Sequence, residues 1–307
     1  MIAFIAEGMH EEGVRRLEEA GIDTVRSIDD FDPSAIEVLI VRSVFTINEA
    51  CLRKYPKVKM VAKLGTGLDN VDQQLCRERG ISVINVPAMN AISTAEFAVT
   101  QILNIKKNAF EIYNRVVARD FRRAQYFGHE LLDMTVGIIG YGSVGKAVVE
   151  RIEPFVSKVY IRDRHARGEQ ESGKRHFVTD QNKLLAESDV VILAVTLKGN
   201  EKMVDRGFLS RMKPEALLVN IARGGLIDEH ALATFLNDNK TARYYCDVVT
   251  PEPDYTKSPE AQEYRNPMLE LSNVIYTPHI ASLTEECQRK IALTIAEKII
   301  QNCLKQQ

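Results

Sequence analysis

Three side chains in the second half of the chain have types that together do one kind of chemistry. Arg223 follows Val219-Asn220-Ile221-Ala222 and precedes Gly224-Gly225; Glu252 lies in Asp247-Val248-Val249-Thr250-Pro251-Glu252-Pro253; His279 lies in Tyr276-Thr277-Pro278-His279-Ile280-Ala281-Ser282. A planar guanidinium grips a carboxylate at two points and polarises a neighbouring carbonyl oxygen. An imidazole takes a hydroxyl proton as hydride leaves the same carbon, and returns it in the reverse direction. A carboxylate beside that imidazole favours its charged form and fixes its tautomer. Taken singly, each residue has a plainer role: a helix-capping arginine, a solvated glutamate, a loop histidine after proline. As a set they suit hydride exchange at a 2-hydroxy acid, which requires a hydride carrier.

A site for such a carrier is written upstream. The run Val136-Gly137-Ile138-Ile139-Gly140-Tyr141-Gly142-Ser143-Val144-Gly145 reads as a buried strand, a tight turn and the start of a helix, with GxGxxG in the order that gives the pattern a mechanism. Gly140 allows the sharp turn, Gly142 lets backbone approach a pyrophosphate, and Gly145 lets the helix pack closely, so that the helix N-terminus faces the anion. A second apolar strand, 158–161, leads to Asp163, which lies 18 residues beyond Gly145. An acid at that spacing takes both ribose hydroxyls of an adenosine and repels a 2′-phosphate. The reading favours NAD, while Arg162, Arg164, His165 and Arg167 around that acid keep NADP open.

The elements that position these residues follow from the rest of the chain. Its 307 residues suffice for about two domains, and a net charge of −2 with 45% hydrophobic residues describes an ordinary globular protein. Nothing in that balance points to nucleic acid or to an anionic membrane. The five cysteines are scattered without a CxxC, which fits a reducing cytoplasm and gives no metal site. The N-terminal apolar run reads as a first strand rather than a signal peptide.

Residues 1–85 alternate strands at 2–6, 37–41, 59–64 and 82–84 with helices at 10–20, 48–54 and 71–79. This implies a parallel sheet with helices on both faces and ligands at the carboxyl ends of its strands. Two strand ends there are unusual: Arg42 directly follows a buried run, and Lys63 precedes the glycine-rich turn Leu64-Gly65-Thr66-Gly67. Each alone reads as a solvated strand end or a turn; together they suit an anion site. Residues 92–120 lack Gly and Pro and carry the stripe Phe97, Ile102, Ile105, Phe110, Ile112 and Val116, so one continuous helix is expected, bridging domains or lying in a subunit interface. Further strands are expected at 189–195, 217–220, 244–248 and 274–277. Helices follow at 229–237, capped by Asp228, and at 284–304.

These ordered blocks resemble the D-isomer-specific 2-hydroxyacid dehydrogenase family over nearly the whole chain. They are Val41-Arg42-Ser43, Gly65-Thr66-Gly67-Leu68-Asp69-Asn70-Val71-Asp72, the glycine turn with Asp163, Ala222-Arg223-Gly224-Gly225, the segment from Asp247 to Pro253, and Thr277-Pro278-His279. Within the family the motifs most resemble the D-3-phosphoglycerate dehydrogenases. The resemblance implies two Rossmann-like or flavodoxin-like doubly wound α/β domains separated by a cleft: a discontinuous substrate domain of residues 1–101 plus 284–307, and an NAD domain of residues 102–283. It implies Arg223, Glu252 and His279 as the catalytic trio. Ser143 and Val144 would offer backbone to the pyrophosphate, Ala222 and Asp247 would hold the nicotinamide side, and Thr66 and Ala281 would line the cofactor cleft. The backbone of residues 64–67, Leu64 and Gly65 included, would hold the substrate carboxylate. Arg42 and Lys63 match residues that face the phosphate in the phosphoglycerate enzymes, and Arg122-Arg123 match a segment from which a basic residue reaches across to a partner subunit. The helix from Ile92 belongs to the dimer interface of relatives, so a homodimer is expected.

Two blocks depart from the pattern: Ala194-Val195-Thr196 stands where the family usually has His-x-Pro on the adenine side, and His279 is followed by Ile280-Ala281-Ser282-Leu283-Thr284 where many relatives have two glycines. Other readings are a 4-phosphoerythronate or glyoxylate/hydroxypyruvate type of dehydrogenase and an NADH-sensing, corepressor-like binding protein.

Overall fold

The computed structural model describes residues 1–29, 31–165, 173–255 and 257–304, so Arg167 lies outside the described residues. The chain forms two compact units, Met1–Asn90 with Ser282–Gln307, and Ala91–Ala281.

In the first unit, β1 (Ile2–Ile5), α1 (Glu11–Glu19), β2 (Asp23–Val25), β3 (Val38–Val41), α2 (Glu49–Lys54), β4 (Met60–Lys63), α3 (Gln73–Glu78) and β5 (Ser82–Ile84) build a five-stranded parallel sheet in the order β2-β1-β3-β4-β5. Every residue of β3 and β4 is buried, as in a strand covered on both faces. The helices start where sequence chemistry provides a cap: Asn48 accepts from the Cys51 N–H at 3.0 Å and Asp72 from the Leu75 N–H at 2.9 Å. The C-terminal helix Glu285–Leu304 returns to this unit, burying Ile291, Ile295 and Ile299 among Val14, Leu17 and Ile40.

The second unit contains α4 (Ala91–Lys106), α5 (Ala109–Val117), β6 (Thr135–Ile139), α6 (Ser143–Ile152), β7 (Lys158–Arg162), β8 (Arg175–Phe177), α7 (Gln181–Glu187), β9 (Val190–Leu193), α8 (Arg206–Leu209), β10 (Leu217–Asn220), α9 (Glu229–Asp238), β11 (Arg243–Cys246) and β12 (Val274–Tyr276). Its seven strands pair in parallel as β12-β11-β10-β9-β6-β7-β8. The order reverses between β6 and β9, the crevice where doubly wound sheets take ligands. Both parallel sheets expected from the βα alternation are present.

Two expectations change. The helix expected over 92–120 is broken, because Asn108 adopts a left-handed conformation with φ 54° and caps α5. Asparagine tolerates this region, and its side-chain amide donates to the Phe127 carbonyl while the His129 N–H returns to the Lys106 carbonyl at 2.7 Å. Residues 91–101, expected with the first domain, pack in the second unit, where Ala95, Ala98 and Ile102 share a core with Val148, Val149 and Ile152 of α6. Small side chains on α4 let the two helices approach, and that apolar contact decides the boundary. Beyond the break, α5 buries no residue, and Tyr113 and Val117 are 69% and 67% exposed. Among the described residues no helix is long and apolar enough to cross a membrane.

Burial also quiets two thiols, Cys51, partly buried against the core of the first unit, and Cys246, buried in that of the second. It pushes Cys51 up to about 11 and Cys246 up to about 12. At pH 8 their thiolate fractions are then only about 10⁻³ and 10⁻⁴. Iodoacetamide applied to the native protein at that pH should leave both unlabelled, as read by peptide mass mapping, and should label them after unfolding. Rapid native labelling of Cys246 would contradict this packing.

Candidate active site

The glycine turn follows β6 at the reversal point of the larger sheet. Gly140 has φ 102°, and a Cβ there would lie 2.4 Å from the Ala194 carbonyl oxygen. A Cβ on Gly145 would lie 2.1 Å from the Gly140 carbonyl oxygen, so the close approach is between the helix and the turn itself. A Cβ on Gly142 would meet nothing within 4 Å. That open side of Gly142 lies at the start of α6, whose first N–H groups, on Ser143, Val144 and Gly145, precede the first intrahelical bond. Positive helix end and bare backbone together fit the pyrophosphate of a dinucleotide. Asp163, one residue past β7, accepts from the Tyr141 N–H at 2.7 Å and from the His165 N–H at 2.6 Å. Its carboxylate thereby ties the end of β7 to the turn. Arg164 and His165 beside it are exposed.

The three proposed reactive side chains are delivered by β10, β11 and β12, which are neighbours with Asn220, Cys246 and Tyr276 in register. His279 Nδ1 lies 2.9 and 3.1 Å from the two Glu252 carboxylate oxygens, with both side chains part-buried. Nδ1 is therefore the nitrogen engaged by the carboxylate, and Nε2 is the one left for a reacting group. Arg223 bends back, its Nη1 donating to the Ala222 carbonyl at 2.7 Å.

His279 stands in the left-handed region with φ 54°, a conformation that costs a non-glycine residue about 1–3 kcal/mol. Asp247 holds it there. The Asp247 carbonyl accepts the His279 N–H at 2.9 Å, and its carboxylate accepts from Thr277 Oγ1 at 2.6 Å, the Ile280 N–H at 3.0 Å and the Ala281 N–H at 2.9 Å. This carboxylate, expected on the nicotinamide side, has both oxygens occupied by the His279 turn and belongs to a residue only 2% exposed. Burial pushes its pKa above the ordinary aspartate range, and the three donors act against that push. Ala281 is placed in the same turn, and Ala222 in the turn that carries Arg223.

The remaining residues lie in the first unit. Arg42 donates through Nε to the Gly8 carbonyl at 3.2 Å and through Nη2 to the Gln288 side-chain oxygen. Burial pushes its pKa below the ordinary arginine value, and Glu7 opposes that push. Lys63, buried at the end of β4, donates to Asn70 Oδ1 at 2.8 Å. The Leu64 N–H goes to the Val41 carbonyl at 2.8 Å and the Gly65 N–H to the Lys63 carbonyl at 2.9 Å, so both are already spent on protein acceptors. The Thr66 hydroxyl faces Asn90 Oδ1 at 3.2 Å.

Two organising residues escaped the sequence reading. Asn220, fully buried, donates to the Arg223 carbonyl at 2.9 Å and accepts from the Ala222 N–H at 3.1 Å, closing the turn that presents Arg223. Glu7 accepts from the backbone N–H groups of Arg42, Val44 and Phe45 at 2.8, 2.8 and 2.9 Å, which shapes the loop carrying Arg42. The available signal was a polar side chain ending an apolar strand. Substitutions separate the glycine roles: Gly145→Ala should destabilise the protein by about 1–3 kcal/mol in denaturant titration. Gly142→Ala should cost less than about 1 kcal/mol yet weaken NAD binding by at least about tenfold in calorimetry.

Comparison with known proteins bears on the family and the fold. Residues 99–281 match the family described as D-isomer specific 2-hydroxyacid dehydrogenase, NAD binding domain. The chain is 32% identical over 307 residues to a D-3-phosphoglycerate dehydrogenase of Methanocaldococcus jannaschii, an alignment covering 96% of this chain and 56% of that one. It therefore spans little more than half the length of that relative. A hydroxypyruvate reductase of Thermotoga maritima is 33% identical over 265 residues, covering 86% of this chain and 84% of the other. Among solved structures, a D-lactate dehydrogenase from Aquifex aeolicus complexed with NAD and lactic acid is similar with a TM-score of 0.84 at 27% identity, over 100% of this chain and 97% of that one. Glycine turn, strand-end residues and sequence thus converge on one assignment: the chain belongs to the D-isomer-specific 2-hydroxyacid dehydrogenase family.

Proposed function

We propose that the protein is an NAD-dependent dehydrogenase interconverting a small D-2-hydroxy acid, anionic at a second position as in 3-phosphoglycerate, and its 2-oxo acid. The observation that carries this reading is the contact of His279 Nδ1 with both Glu252 oxygens, which leaves Nε2 for the substrate hydroxyl. NAD, when bound, supplies the hydride acceptor. Gly140, Gly142, Ser143, Val144, Gly145 and Asp163 would hold its adenosine and pyrophosphate, with Thr66, Ala222 and Ala281 about the nicotinamide; Asp247, its carboxylate engaged by the His279 turn, would act there only through that turn. His279 takes the hydroxyl proton at Nε2, and Glu252 stabilises the resulting imidazolium across the Nδ1 contact. Arg223 grips the substrate carboxylate and draws charge from the carbonyl oxygen. Arg42 and Lys63 are proposed substrate contacts, whereas the expected Leu64 and Gly65 N–H groups are already bonded to the Val41 and Lys63 carbonyls; the two cations favour a second negative group. The relatives named as acting on phosphoglycerate and on hydroxypyruvate support the class of acid and leave the side group to be measured.

We also propose a homodimer. Its support is the exposed apolar face of Phe110, Tyr113, Val116 and Val117 on α5, followed by Phe121 and Phe127. The free cysteines suit operation in a reducing cytoplasm.

A panel of D-2-hydroxy acids with NAD at alkaline pH, and of 2-oxo acids with NADH, should reveal turnover, and 3-phosphoglycerate should be among the better substrates. No turnover in either direction would remove the dehydrogenase reading. NADH-dependent capture of a protein partner in its place would favour a sensor. His279→Ala should lower kcat by at least about 10² while NADH binding, followed by fluorescence, stays intact. In light scattering the native mass should be that of two chains, and Tyr113→Glu with Val117→Glu should halve it; a monomeric native protein would end the dimer proposal.

A further inference from the structure

β11 carries two consecutive tyrosines on its two faces, and Tyr245 is fully buried in the apolar cluster that contains Ile138, Val219 and Ile221. A phenylalanine would fill that space equally well, so the hydroxyl needs a reason. Its oxygen lies 2.7 Å from Thr277 Oγ1, and Thr277 Oγ1 lies 2.6 Å from Asp247 Oδ1. The direction of this chain follows from proton counting. Asp247 Oδ1 already receives the Ile280 N–H and Oδ2 the Ala281 N–H, which leaves the carboxyl group in the role of acceptor. Thr277 must then donate its single proton to Asp247, and Tyr245 must donate to Thr277. The far end of the chain is the turn of His279, whose N–H is shared between the Asp247 and Thr277 carbonyls at 2.9 and 2.8 Å.

We infer that Tyr245 is a positioning residue. Its hydroxyl locks Thr277 in the rotamer that donates to Asp247, and thereby sets the left-handed turn that aims the His279 imidazole. It touches neither substrate nor cofactor and acts only through Thr277 and Asp247. The hydrogen bonds of a strained turn must over-determine it, and the part-buried Thr277 hydroxyl, having given its proton to Asp247, keeps a lone pair for a donor of its own. Tyr245, itself fully buried, meets both needs from the core side of the turn.

The inference rests on the proposed role of His279, and its test has one readout that does not. Tyr245→Phe should leave the melting curve cooperative and accelerate amide hydrogen exchange in the peptide spanning residues 277–281, while exchange in β6 keeps its native protection. With the best acid of the panel, kcat should fall about fivefold, the fold-change of one neutral hydrogen bond, while KM and NADH affinity stay within about twofold. Thr277→Val should lose at least as much kcat, and Thr277→Ser, which keeps the hydroxyl, should recover most of it. Unchanged exchange at 277–281 in Tyr245→Phe would overturn the inference, whatever happens to turnover. So would acceleration spread equally over β6, or an equal fall in kcat and NADH affinity, because either would make Tyr245 a general core residue. If the native protein turns over no acid at all, the dehydrogenase reading fails, and the exchange measurement still decides whether Tyr245 holds the turn.

Discussion

Burying the Asp247 carboxylate costs free energy that hydrogen bonds must offset, and the donors that offset it are the backbone and hydroxyl groups of the turn carrying His279. The two costs, a buried charge and a left-handed histidine, are thus met by one set of bonds. Either alone would be a liability of a few kcal/mol. Together they place an imidazole at the end of β12 against Glu252 at the end of the β11 loop.

The same device recurs at other strand ends. Asn220 closes the turn after β10 around Arg223, Asp163 ties the end of β7 to the glycine turn, and Glu7 gathers the N–H groups of the loop after β3. In each case a polar side chain at or just beyond a strand end satisfies backbone groups that the sheet has stopped pairing. The parallel sheet provides the frame because its central strands β9 and β10 are fully buried and β10, β11 and β12 are in register, so their carboxyl ends form an edge whose loops need only local bonding to become rigid. The glycine turn is the complementary case, where the absence of a side chain brings helix and turn together at Gly145 and leaves backbone bare at Gly142.

Much of this was legible in the sequence because it depends on local pattern. Apolar runs of four or five residues marked the central strands, and Asn48 and Asp228 marked helix starts that the structure keeps. The three-residue edge strands β2 and β8 escaped notice because Asp23-Thr24-Val25 and Arg175-His176-Phe177 each carry a single apolar residue, whereas the equally short β5 and β12 carry adjacent Val and Ile. The break between α4 and α5 was hidden because Asn108 is acceptable inside a helix pattern, and its left-handed conformation goes with the bonds of Asn108 to Phe127 and of Lys106 to His129, about twenty residues along the chain. The affiliation of residues 91–101 was hidden for a similar reason, since small residues on α4 are compatible with several neighbours and only packing on α6 selects one.

From the amino-acid order alone came the fold class, the dinucleotide turn with its acid, and the identity of a guanidinium, a carboxylate and an imidazole at successive strand ends. Those follow from spacing along the chain and from the chemistry each residue type permits. Tertiary structure decided that His279 and Glu252 touch, that Asp247 faces the histidine turn with both oxygens engaged, and that Tyr245 reaches Thr277. Side-chain direction at a strand end depends on which neighbour offers a buried partner, and that is a property of the packed sheet.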